Sequence, residues 1–469
     1  MENLLKLVKK YNQIIIFAII ASLVVVTFFI EEMSIALFLF VIFVGTVLKN
    51  ETLVAIIVFL LPLQVIIAVP IAKMFYLITT FCLFYMLKNY IISIMKKQKI
   101  FNWKLFLLAT IICLFALAFP THKNSLENNF VFLVNIIFII MIYECRKDIG
   151  FAKVVEYYSL GIIMSGLIWF FRDTSDIFGI IDRKMIDDFE KFIGCFIHPN
   201  IFAFYDMIAI SSLYMCFYKK QMPMYKFLLY FIGCFIFGYW TVSRSFLLTF
   251  LISTLILYIL LLVRDKQKAL EFIFPFTAII LILCFMVIDT QTKYYVTRAG
   301  EFYEAQYKNK FNQLTSEEWE LVLAGKMHFD PGRYGIWLMY ILYFIKNPFD
   351  FIFGKGNTAL RVGKAKAHNF IFDSLNIHGL VGSVLFVLFY YIVFGGKKAK
   401  SLKNKDILIM LLPYFIFMLL DPMEFNMVAM IIIALSNIQD NSFKPLDYDN
   451  NKMYDKLMIN QNKKFKKVQ

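Results

Sequence analysis

Charge is scarce in this chain. Of 469 residues only 17% are Asp, Glu, Lys or Arg, against 60% hydrophobic and 18% aromatic. A soluble domain of that length has too little interior to hide so much apolar surface, so lipid is the solvent expected. Histidine is rarer still, with five copies. Cysteine is confined to Cys82, Cys113, Cys145, Cys195, Cys216, Cys234 and Cys284, mostly inside apolar runs and never as C-x-x-C. That pattern argues against a disulfide framework and a zinc site, and leaves the cysteines as small buried hydrophobes.

What the chain has in quantity is apolar runs. Its mean hydropathy is +0.69. Runs of spanning length recur at about 12–29, 33–48, 52–70, 74–94, 103–119, 130–144, 155–171, 198–217, 223–240, 245–263, 270–288, 370–394, 405–419 and 425–437. Backbone groups in lipid must pair internally, so these are helices. The expected fold is all-α: a polytopic integral membrane protein with about 12–14 transmembrane helices in residues 1–440 and a basic tail at 441–469. The opening MENLLKLVKK resembles a signal sequence, but no small-residue cleavage site follows Phe29, and an uncleaved first helix is expected.

The formal net charge of +15 would suggest nucleic acid in a soluble protein. Here the basic residues cluster between apolar runs, and topology explains them better, with no nucleic-acid partner. With Lys6, Lys9 and Lys10 inside, the loops holding Lys96–Lys99, Arg146–Lys147, Lys219–Lys220, Arg264–Lys268 and Lys397–Lys403 fall inside too, as does the tail. Glu31–Glu32, Asp421–Glu424 and the acidic run Asp173–Glu190 fall outside. Both termini are then cytoplasmic, and the long loops 172–197 and 289–369 are extracytoplasmic. In the larger loop Glu301–Leu323 has helical composition, with Phe302, Trp319, Leu321 and Val322 as apolar contacts. The segment 334–345 is apolar but too short to span between Arg333 and Pro348, and reads as a helix at the outer interface.

Four polar clusters share the outer face. They are Gly194-Cys-Phe-Ile-His198-Pro199-Asn200; the turn Thr241-Val-Ser243-Arg244-Ser245; Arg333 and Trp337 followed by Pro348 and Gly354-x-Gly356; and His368-Asn369 with Gly379 and Gly382 in the returning helix. In order, these H-P-N, T-x-S-R, R-x-x-x-W, P…G-x-G and H-N…G-L-x-G patterns over roughly residues 190–440 resemble the O-antigen polymerase and O-antigen ligase superfamily. These are polytopic glycosyltransferases that act on polyprenyl-diphosphate-linked glycans. The departures are mild: the loop has no long Gly/Pro-rich tail, and Ser245 and Phe246 stand where a smaller pair is frequent.

The resemblance implies polymerisation of lipid-linked repeat units into a surface polysaccharide (O-antigen, capsule or exopolysaccharide) at the outer face of a bacterial cytoplasmic membrane. Donor and acceptor are both carried on polyprenyl diphosphate, and a flippase and a chain-length regulator of the same pathway are the implied protein partners. A diphosphate is already a good leaving group, so the site needs to neutralise it and to deprotonate a sugar hydroxyl. Arginine offers a permanently charged fork of donors for phosphate, and Arg244 and Arg333 are the candidates. His368 has the intrinsic pKa of a general base. Ser243, His198, Asn200, Asn369, Trp337 and Arg361 are candidates for binding substrate. No carboxylate pair with metal–nucleotide spacing accompanies them, so the expected reaction is a single inverting displacement without metal or other cofactor.

Plainer roles stand beside each of these. Arg244 could snorkel to the interface, Arg333 could pair with Asp330, and His368 could cap a helix. His198 could be a turn residue before Pro199, and Arg361 could coat anionic headgroups. Gly379 and Gly382 suit close helix packing, and Trp337 suits the interfacial belt. Asp206, inside an apolar run, needs a buried donor. Two other functions fit the same chain: a ligase passing finished polymer to another acceptor, and a flippase for the lipid-linked unit. The missing internal repeat and the position of the polar clusters at helix ends speak against the flippase.

Overall fold

Apolar runs closed by Pro, Gly or charge fold here as helices. The computed structural model describes residues 15–27, 30, 33–45, 48, 50–63, 71–96, 106–111, 136–137, 139–141, 150–173, 185–186, 189–190, 199–241, 243–273, 277, 315–323, 327, 333–355, 369–393, 409–410 and 412–420. They are mostly helical, as the all-α expectation has it. We number the helices α1 Ile15–Thr27, α2 Met33–Gly45, α3 Asn50–Leu60, α4 Ile71–Met95, α5 Phe151–Asp173, α6 Pro199–Lys219, α7 Met224–Trp240 and α8 Arg244–Arg264. They continue with α9 Ser316–Leu323, α10 Arg333–Lys346, α11 Pro348–Phe353, α12 Phe370–Val393 and α13 Leu412–Leu420. A two-residue hairpin, Met185–Ile186 against Phe189–Glu190, lies between α5 and α6.

Among the described residues four segments are long and apolar enough to cross a membrane: Phe151–Ile168, Pro199–Lys219, Ser245–Arg264 and Ile371–Phe389. At a rise of 1.5 Å, a hydrocarbon core of about 30 Å needs roughly 20 residues. The expected span 52–70 is described as far as Leu63. α3 ends at Leu60 and tightens into a 3-10 turn at Leu61–Leu63, where Pro62 has no N–H to carry the helix on. The expected spans 103–119, 130–144, 270–288 and 405–419 are described only in part, and 425–437 lies outside the described residues.

α6 is the hub. It is buried along nearly its whole length and packs against α5, α7, α8 and α13. Tyr414 of α13 meets Ser212 at 3.3 Å and Phe417 faces Phe204 at 5.3 Å between ring centres, so α13 runs antiparallel to α6. Phenylalanines join α7 to α8: Phe235 lies 4.7 Å from Phe250, and Phe246 stacks on Phe250 at 6.0 Å. Glycine allows the closest approach elsewhere: a Cβ on Gly161 of α5 would run into the Phe59 carbonyl at the end of α3. The outward face of α8 shows Leu248, Leu251, Leu255, Ile259 and Leu262. An exposed apolar stripe at helical spacing is the reverse of a water-facing helix and suits lipid.

The two ends of this bundle differ. One end carries ion pairs: Lys226 to Glu156 at 2.8 Å, Lys153 to Glu51 at 3.0 Å and Lys220 to Asp265 at 3.3 Å. Arg264 there donates to the Tyr218 carbonyl at 3.0 Å and lies over the Tyr218 ring. The other end holds the turn from α7 into α8 and the start of α6.

A second apolar cluster is separate from the bundle core. Val322 and Leu323 of α9 pack with Ile336, Met339, Tyr340, Tyr343 and Phe344 of α10, joined by Phe351 of α11 and Phe372 and Leu375 of α12. Trp319 and Val322, three apart, are apolar contacts as expected, but Leu321 falls on another face and is exposed. Phe302 lies outside the described residues. α12 is not one straight rod: at Gly379 the backbone leaves helical geometry, with φ 64° and ψ −177°. Beyond this break, Phe389 joins the bundle core, with Leu385 and Phe386 alongside.

Candidate functional site

The polar clusters fall into two groups. The first is built on the start of α6 and the α7–α8 turn. Pro199 opens α6, where its missing N–H costs nothing, and Asn200 follows it, half-buried. α7 ends as Thr241 turns its N–H and its hydroxyl onto the Gly238 carbonyl, at 3.3 and 2.6 Å. The Ser243 N–H then donates to Thr241 Oγ1 at 3.3 Å. Ser243 caps α8, its Oγ accepting the Phe246 N–H at 3.3 Å. A hydroxyl at this position satisfies one of the orphan donors of a helix start. Arg244 is the first residue of α8, in helical register with the exposed stripe Leu248, Leu251 and Leu255.

Beneath that turn sits Asp206. It is 0% exposed, and neither carboxylate oxygen has a hydrogen-bond partner among the described residues. The Cys234 thiol and the Gly238 amide face it without closing a good hydrogen bond. Placing an ionisable residue in a spanning helix costs about 2.5–3.5 kcal/mol on insertion scales, so its presence calls for a reason. A Cβ on Gly238 would overlap both Asp206 Oδ2 and the Phe246 ring.

The second group lies in the α9–α12 cluster. Arg333 is the first residue of α10, in register with Ile336 and Tyr340 of the buried face. Trp337 stacks on Phe372 of α12 at 6.2 Å between ring centres, and Tyr340 lies 6.1 Å from the same ring. Asn369 caps α12: its Oδ1 accepts the Ile371 N–H at 2.9 Å. Phe372 thus brings the Arg333 helix beside the Asn369 cap, uniting the third and fourth sequence clusters. His198, Arg361 and His368 lie outside the described residues, and of Arg244 and Arg333 only the backbone is described.

Contacts that the sequence motifs do not announce complete this group. Gly354, at φ 76°, lies against Gly379 with backbone touching backbone, and the Lys355 N–H donates to the Asn376 carbonyl at 2.9 Å. The Tyr343 hydroxyl donates to Asp350, and the Lys355 ammonium lies 3.8 Å from the Tyr343 ring centre. Burial, then the Asp350 carboxylate, pushes the Tyr343 hydroxyl above its ordinary range, while burial holds the Lys355 ammonium below its own. Asp373 and Asn376 are buried one helical turn apart in α12. The signal for Asp373 and Asn376 was visible as polar residues three apart in an apolar run. The Gly354–Gly379 crossing joins residues 25 apart in sequence and has no local signature.

Chemically, the two groups offer helix N-termini, two arginines, and hydroxyl and amide caps. Among the described residues no three His, Cys, Asp or Glu are grouped to hold a metal ion. No family model matches the chain, and no curated protein matches it either.

Proposed function

We propose that this chain is a membrane glycosyltransferase that joins polyprenyl-diphosphate-linked oligosaccharide repeats into a surface polysaccharide. One observation carries the reading. Each polar motif singled out in the sequence marks the start of a helix: Pro199–Asn200 opens α6, Ser243–Arg244 opens α8, Arg333 opens α10, and Asn369 caps α12. Helix N-termini favour anions, through unpaired N–H groups and the positive end of the macrodipole. Two of these four starts carry an arginine, suited to the oxygens of a diphosphate.

In this reading Arg244 and Arg333 hold the diphosphate of the donor, and Ser243, Asn200, His198, Asn369, Trp337 and Arg361 contact the glycans. His368, one residue before the α12 cap, takes the proton of the acceptor hydroxyl as that oxygen bonds to the donor's anomeric carbon, the bond from that carbon to the diphosphate oxygen breaks, and polyprenyl diphosphate leaves. Inversion follows from a single displacement. Arg244, which opens α8 in register with the exposed apolar stripe Leu248, Leu251 and Leu255, meets in this reading a diphosphate whose prenyl tail lies in the bilayer. The basic end of the bundle would face the cytoplasm by the positive-inside rule. The turn end, loop 289–369 and the site then face outward, with 12–14 spans and both termini inside a bacterial cytoplasmic membrane.

The test combines cells and purified protein. Deletion is expected to leave single repeat units on the surface, and full-length protein in lipid nanodiscs should lengthen lipid-linked units extracted from that strain. His368→Ala should slow this by about 10²–10⁴, and Arg244→Ala or Arg333→Ala by about 10²–10³. Near-normal output from His368→Ala at equal expression would sink the base assignment. Polymer accumulating unattached in the deletion points to a ligase instead, and flipping of carriers without glycosidic bond formation points to a transporter.

A further inference from the structure

We propose that Asp206 is a positioning residue: it braces Gly238, and through Gly238 the α7–α8 turn, fixing the helix start that presents Ser243 and Arg244. The proposal rests on reading that turn as part of a diphosphate-glycan site.

The mechanism above leaves Asp206 without a task, and the structure supplies one. Its carboxylate lies against the Cα of Gly238, where any side chain would be in the way. Gly238 carries the hydrogen-bond ladder that ends α7 and begins α8. Its carbonyl takes the Thr241 N–H and hydroxyl, Thr241 Oγ1 takes the Ser243 N–H, and Ser243 Oγ takes the Phe246 N–H. Phe246 closes the circuit, because its ring reaches the same point on Gly238. Thr241, Ser243 and Asp206 are all buried, so the arrangement does not depend on solvent. The first turn of α8 cannot shift toward α6 without meeting the carboxylate, and α7 cannot close on α6 without losing it.

What this position asks for is a side chain of carboxyl size with an oxygen turned to the Gly238 amide and the Cys234 thiol. Alanine leaves a void under the turn. Asparagine keeps the size and one oxygen. A methyl group on Gly238 evicts the oxygen and the ring together. A displacement at the base of the ladder then moves the N–H groups at its top and the start of α8 that carries Arg244.

The experiment uses the full chain in nanodiscs, with sugar-free undecaprenyl diphosphate as the binding probe and hydrogen exchange of residues 241–247 as an independent readout. Asp206→Ala and Gly238→Ala are expected to weaken probe binding roughly 10- to 100-fold and to speed exchange, while Asp206→Asn stays close to wild type in both. Asp206→Ser stands in if the alanine variant does not fold. Wild-type binding and exchange in Asp206→Ala would overturn the proposal. So would Asp206→Asn matching the alanine variant, since charge rather than shape would then be the requirement. If the wild type does not bind the probe, the diphosphate reading falls, and the exchange pattern alone decides whether Asp206 sets the turn.

Discussion

Gly379 stands at φ 64°, ψ −177°, and Gly354 at φ 76°, ψ 176°. Only glycine occupies that region readily, and a side chain forced into it costs on the order of 1–3 kcal/mol. The two backbones also touch, so a Cβ on Gly379 would strike the Gly354 nitrogen and the end of α11. Gly379→Ala is therefore expected to lower stability by at least about 1–3 kcal/mol, read as a fall in thermal midpoint with faster exchange over 348–355. An unchanged midpoint and exchange would show that the crossing is dispensable. In the sequence Gly379 and Gly382 look alike, two small residues suited to packing. What separates them is the backbone angle at Gly379, imposed by a segment docking from 25 residues away.

At the scale of elements, the sequence is a good guide to where helices begin. The expected 245–263, 334–345 and 370–394 become Arg244–Arg264, Arg333–Lys346 and Phe370–Val393. Capping residues and Pro are local signals and act locally: Ser243 and Asn369, taken in the sequence as substrate contacts, cap α8 and α12, and Pro348, taken as the limit of 334–345, opens α11. The tightening of the chain at Leu61–Leu63, around Pro62, carries the same kind of signal. α11 as a separate helix and the break in α12 do not, because both come from tertiary contact. α9 shows how far a local device reaches. Thr315 and Glu318 form a reciprocal capping box: the Thr315 N–H donates to Glu318 Oε2 at 2.8 Å, and the Glu318 N–H to Thr315 Oγ1 at 3.3 Å. The Thr315 amide and hydroxyl hold the Glu318 carboxyl below its ordinary 4.5. A depressed folded value means the stabilisation is present above that ordinary value and is lost as pH falls through the lowered one. Protection of the amides over 316–323, corrected for the intrinsic exchange rate at each pH, should thus fall on acidification below 4.5. Glu318→Gln should flatten that step, and a step of equal size in the variant would refute the assignment.

At the scale of the whole molecule, composition and loop charge make lipid the expected solvent, and the helices with apolar outward faces agree with it. Which helices are neighbours was not legible, since apolar runs of similar length carry no partner code. The pairing of Arg333 with the Asn369 cap through Phe372, and of Asp206 with the T-x-S-R turn through Gly238, appears only in three dimensions. Sidedness can be checked directly with a membrane-impermeant maleimide on intact cells. Glu317→Cys should be labelled and Lys266→Cys protected until the cells are opened. The reverse pattern would turn the proposed topology inside out and move the candidate site to the cytoplasm. The bend at Gly379 divides α12 into 370–378 and 380–393, which measure about 13 Å and about 21 Å, each short of a hydrocarbon core of about 30 Å. Spanning length therefore belongs to the two halves together, and Gly354, seated against the bend, sets the angle at which the second half reaches the bundle core.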